Sequence, residues 1–216
     1  MSARVLRRLQ VANDRVASEV DAALKRALSG IDLSDPVAAR AAVFEVVPPL
    51  VERWGDVAAV AAAEWFEEIR AVEGVPGAFR AVLADPVPLE QVNARLGYAT
   101  RESGHLFAGN QAEFVDFLSL MVNEYTMQPG HDTVRENTVR DGAAYARVPE
   151  PGACDFCVML GSRGFVYSKR TVGTDVGSKF HGGCRCHGMP VWDEDRARSV
   201  YGYDPDALYE RFQQMR

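Results

Sequence analysis

All four cysteines of this chain lie between Cys154 and Cys186, after 153 residues that contain none. Sulfur so concentrated sets the last third of the chain apart from the rest. Cys154-x-x-Cys157 has the spacing of a metal knuckle, and His181-x-x-Cys184-x-Cys186 follows it. Each pair, Cys154/Cys157 and His181/Cys184, can close a turn around one ion. Cys184 and Cys186 are two apart and share a face if that stretch is a strand. Five candidates therefore compete for the four tetrahedral positions of a structural zinc, with His187 a weaker sixth. Four unrelated buried thiols would not be expected to gather around a correctly spaced histidine. A thioredoxin-like redox pair belongs in a βαβ setting, and "VPEPGA" before Cys154 shows neither the strand nor the helix start for one. Disulfides are not expected either. The opening "MSARVLRRLQVANDRV" is charged throughout and carries no apolar signal stretch, which implies a reducing setting.

The first 128 residues have another texture, that of helix after helix. Val5, Leu6, Leu9, Val16, Val20 and Leu24 fall at helical spacing over residues 2 to 28, and Ser29-Gly30 ends the run. Asp35 before Pro36 reads as an N-cap with proline in the first turn. Pro48-Pro49 should break or kink the helix that follows. Leu50, Trp54, Val57, Ala61, Trp65, Ile69 and Val72 then recur every three or four residues, an amphipathic helix of about six turns. Its two tryptophans read as part of a core stripe rather than a cofactor box. Shorter helices are expected over 89 to 102 and 108 to 127. "QPGHD" should break the chain, and Thr133 with Glu136 match a capping box opening a short polar helix.

From about Arg147 to Val191 glycine is frequent and the period-2 stretches "YARV", "GFVY" and "GMPVW" are short. This is the pattern of a small α+β module with little core of its own. A zinc ion, whose apparent binding free energy is of order 10 kcal/mol, could hold such a module together. Asp204-Pro205 opens a terminal helix. The expected architecture is a mainly α body over residues 1–128 with a zinc-stapled α+β module over 129–216. No stretch reaches the roughly 18 apolar residues of a membrane span. The net charge of −6 argues against a surface that coats nucleic acid as a whole, though it permits a local basic patch.

The stretches "RVPEPGACDFCVMLGSRGFVY", "FHGGCRC" and "MPVW", with "MQPGHDTVRENTVRDGAAYARVP" upstream, resemble the C-terminal region of MuF-like minor capsid proteins from tailed phages of actinobacteria. "LVERWGDVAAVAAAEWFEEIRA" fits the same pattern, so the resemblance is close over residues 127 to 192 and loose elsewhere. It implies a minor head protein present in few copies, located in the head interior or at the portal vertex. It also implies a protein that meets portal, capsid or packaged DNA after assembly in the host cytoplasm. Some family members are described as capsid maturation proteases, often because they are fused to one.

The residues themselves point to no turnover chemistry. An HNH-like nuclease would need a histidine base beside a metal, and His131, His187, Asp155 and Asp175 have no spacing suited to it. A serine protease built on Ser162 would need glycine where Leu160 stands, and His105 or His131 completes no ordered triad. Arg163, Lys169, Arg170, Lys179 and Arg185 crowd the cysteine region. They are candidates for phosphate contacts, with solvated loop charges as the plainer alternative. The function expected is therefore non-enzymatic: a zinc-stabilised docking module carried on a helical body.

Overall fold

The computed structural model describes residues 2–150, 152–165, 180 and 186–215. Seven helices and two strands follow one another among them: α1 (Ser2–Leu28), α2 (Pro36–Val72), α3 (Leu89–Ala99), α4 (Gln111–Arg140), β1 (Ala144–Val148), α5 (Asp155–Ser162), β2 (His187–Val191), α6 (Glu194–Tyr201) and α7 (Pro205–Gln214). The chain is thus mainly helical, with one small antiparallel sheet. β1 pairs with β2 from Ala144↔Val191 to Val148↔His187. The strands fall where "YARV" and "GMPVW" alternate. α1 and α7 fall where their apolar spacing and the Asp204 cap put them.

Neither expected interruption ends its helix. α2 continues through Pro48 and Pro49. Each proline removes a helical hydrogen bond, but Val43, Val47 and Val51 are buried along the same stretch of helix. Their packing outweighs the loss. α4 likewise runs through "QPGHD" without stopping. Here the proline and glycine make the contact between α2 and α4. A Cβ on Gly55 would sit 3.3 Å from the Pro129 ring, and one on Gly130 would sit 3.1 Å from the Ala58 carbonyl. Small residues let the two backbones approach where two bulky side chains could not. The expected capping box does not form, because Thr133 lies inside the helix and its hydroxyl accepts from Ala84 N at 3.0 Å. One turn on, Asn137 both accepts from Val82 N at 2.9 Å and donates to Val82 O at 2.7 Å. These two side chains fasten the extended 73–88 connection along α4. The 128/129 division of the sequence reading therefore falls in the middle of a continuous helix.

Two large apolar clusters run along this framework, with a small one of Val16, Ala58 and Met127 beside them. In one, Val20, Leu24, Val43, Val47, Leu96, Phe114 and Leu118 close the end that holds α3. In the other, Val5, Leu6 and Leu9 of α1 join Trp65, Phe66 and Ile69 of α2. Tyr145, Leu160, Met189, Val191 and Tyr203 of the later elements complete it. The glycine-rich module thus borrows its core from the first and second helices. Trp65 also donates from Nε1 to Val5 O at 2.8 Å. It is a core residue, as its spacing suggested.

Polar ties reinforce the same junction. Arg70 Nε and Trp192 Nε1 both donate to Asp141 Oδ2, each at 2.8 Å. Arg70 also donates to the carbonyls of Val75, Pro76 and Gly77, closing the turn after α2. Glu73, the C-cap of α2, accepts from Arg196 Nε at 2.8 Å and Nη2 at 3.2 Å, and from the Tyr201 hydroxyl. Among the described residues no helix is long and apolar enough to cross a membrane.

Candidate metal centre

β1 delivers the chain to Pro149, and a short turn leads from there into α5. Cys154 is the N-cap of that helix, extended at φ −67° and ψ 161°, and it is exposed. Cys157 stands three residues later on the inner side and is buried. The pair therefore brackets the first helical turn. The free N–H groups of a first turn favour anionic partners, thiolates included. A helix does start here, after a strand, which corrects the reading of "VPEPGA" as leading into neither. The strands are antiparallel, however, so this is not the βαβ setting of a redox pair.

Cys186 lies at the same end of the sheet. It is buried, directly before β2 and one residue beyond the last paired position, Val148↔His187. Pro149, next after Val148, is in turn the neighbour of α5. A Cβ on Gly161 would meet its Cδ at 2.7 Å, and Gly161 lies one turn beyond Cys157 on the inner face. Pro149 thus links the segment carrying Cys186 to the helix carrying Cys157. His181 and Cys184 lie outside the described residues, as do Lys169, Arg170, Asp175, Lys179 and Arg185 and part of "GFVY". Among the described residues no three or more His, Cys, Asp or Glu side chains gather closely enough to hold an ion.

Phe180, immediately before His181, is held from both sides. Its ring stacks on His131 of α4 with centroids 3.5 Å apart and planes 18° apart. The Arg147 guanidinium of β1 lies 3.6 Å from the ring centroid. This clamp draws on three separate parts of the chain, and the sequence reading missed it. Its one local sign is an arginine in the alternation of "YARV", at a position that is only 1% exposed.

By residue type the set would suit zinc: among the described residues two thiols stand at one helix start and a third, buried, at the head of β2, while His181 and Cys184 lie outside them. Zinc would bind Cys154 and Cys157, with two of His181, Cys184 and Cys186 completing the set. His187 is buried in the sheet, paired with Val148.

The other candidate residues stand apart. The Ser162 hydroxyl donates to Met159 O of its own helix at 2.8 Å. His105 is exposed, and His131 is engaged with Phe180. Asp155 is exposed in the first turn of α5, and Arg163 is exposed as its C-cap.

The VG15 protein family matches residues 1–215. The chain belongs to that family, a family of viral and phage proteins. Comparison with curated proteins and with solved structures finds no match.

Proposed function

We propose that this phage protein is a minor head protein of the MuF-like kind, placed in the head interior or at the portal vertex. It would act in head assembly, DNA packaging or ejection. The observation that carries this reading is the family match over residues 1–215, taken with the motif resemblance over residues 127 to 192. The architecture supports it: the knuckle helix α5 rests on a core shared with α1 and α2, so a docking surface there is held rigidly by the body. A structural zinc on Cys154, Cys157 and two of His181, Cys184 and Cys186 would tie together the two ends of the intervening segment. That segment carries Lys169, Arg170, Lys179 and Arg185 for contact with phosphates or with an acidic partner. A zinc so enclosed in protein ligands leaves no open position for a substrate.

The test is a phage lacking this gene, complemented with wild type or with Cys154→Ser/Cys157→Ser. The expected result is normal capsid shells that infect poorly, with the double variant behaving like the deletion. Complementation by Ser162→Ala, His131→Gln and His187→Gln should be full wherever the fold survives. Accumulation of uncut capsid precursor with the Ser162 variant would replace this reading with a protease. Loss of a DNA-cutting activity with the histidine variants would replace it with an HNH-like nuclease.

A further inference from the structure

A groove of about 470 Å³ opens between α1 and α2, and the metal centre makes no use of it. Its α1 wall carries Arg4, Arg7, Arg8 and Arg15, all exposed. Positions 4, 8, 11 and 15 keep the three- and four-residue spacing that lines up one helical face. At 1.5 Å per residue the stripe is about 16 Å long, or three turns. Arg8 pairs across the groove with Glu68 of α2. Arg4, Arg7 and Arg15 make no ion pair among the described residues. Val11 lies in the middle of them and is 60% exposed. Ala61 and Trp65 supply apolar floor, and Glu64 stands with Glu68 on the far wall.

Folding alone does not account for this surface. Arg4 and Arg8 are like charges one turn apart, which weakens a helix by a few tenths of a kcal/mol. An aliphatic side chain between uncompensated guanidinium groups gains nothing from water. Together they make a complementary face for something that is both acidic and apolar.

We propose that the groove seats an acidic amphipathic helix of about three turns from a partner protein. Its carboxylates would meet Arg4, Arg7 and Arg15, and its aliphatic side chains would cover Val11 and the floor, a helix-in-groove contact. Charge selects this occupant over two others. A nucleic acid would set phosphates against Glu64 and Glu68 and leave Val11 without a partner. A second copy would bring its own α1 arginines against these.

The experiment titrates the full chain into three fluorescent probes, with its self-association followed by sedimentation. The probes are a three-turn peptide with glutamates on one face and leucines on the other, a scrambled peptide of the same composition, and a short DNA duplex. The patterned peptide should bind saturably. Arg7→Glu/Arg15→Glu should weaken it about tenfold, Val11→Asp should weaken it independently, and added salt should weaken it further. All three positions are exposed, and circular dichroism checks that the variants stay folded. Equal binding of the scrambled peptide, or no effect of the arginine variant, would overturn the proposal. So would tighter arginine-dependent binding of the duplex, which would make the groove a nucleic-acid site. Self-association abolished by Val11→Asp would give it to a second copy.

Discussion

Glycine 188 shows how much rests on single atoms. It faces Arg147 in the register, yet a Cβ there would land on the ring of Tyr145, which is itself only 1% exposed. Neither group has room to move, so Gly188→Ala should cost about 1–3 kcal/mol in chemical denaturation. Two carboxyls set opposite pH dependences. Burial pushes Glu73 up, but hydrogen bonds from Arg196 and Tyr201 and the guanidinium charge more than offset this, holding it below its ordinary value. A carboxyl depressed in the folded state adds stability that is present above its unfolded pKa and lost as pH falls through the folded one. The difference in melting temperature between wild type and Glu73→Gln should therefore be largest near neutrality and close below about pH 4. Asp132 is raised, chiefly by burial, with Glu136 adding to the rise while Arg135 and Gln128 oppose it. The fold disfavours its charge, so stability is gained as pH falls through the raised value. Asp132→Asn should raise the melting temperature at pH 7 and lose that advantage in acid.

At the scale of elements, the crossing of α2 and α4 depends on Gly55, Ala58, Pro129 and Gly130. Gly130→Leu should wedge the helices apart and lower cooperativity in thermal unfolding while helicity persists, because each helix keeps its own apolar stripe. α5 carries a separate prediction. Freshly prepared, reduced protein should hold one zinc per chain by elemental analysis, and Cys154→Ser or Cys157→Ser should release it. Substoichiometric metal would refute the centre, and full zinc in His181→Ala with loss in Cys186→Ser would make it all cysteine. Phe180→Ala should weaken zinc retention against a chelator without removing a ligand, since His131 and Arg147 hold the Phe180 ring and Phe180 directly precedes His181. These elements also show what a sequence reveals. The stripes of α1 and α2 and the Asp204-Pro205 cap were legible because period and cap are local. The course of α4 through Pro129 was not, because a neighbouring helix decides it. The spacing of Cys154 and Cys157 marks a candidate pair within a local stretch, whereas the Phe180 clamp needs residues 131, 147 and 180 to meet in space. α6 was overlooked although Asp193 caps it and Gly202, at φ 65°, ends it.

For the whole molecule, the decisive feature is the apolar cluster that joins Val5, Leu6 and Leu9 to Met189, Val191 and Tyr203. A fragment ending at Gln128 should retain strong helical circular dichroism, yet bind an apolar dye and unfold with less cooperativity than the full chain, because one face of α1 and α2 stands bare. Sharp, dye-free unfolding of that fragment would show that the body needs nothing from the later elements. The same cluster has a consequence in time. At about 5–20 residues per second a ribosome needs about 10–40 s to travel from α1 to Tyr203. Through that interval α1 waits for the segments that cover it. The nascent protein therefore carries a greasy seam until Met189, Val191 and Tyr203 have emerged, and host chaperones that bind such seams have a long opportunity at α1.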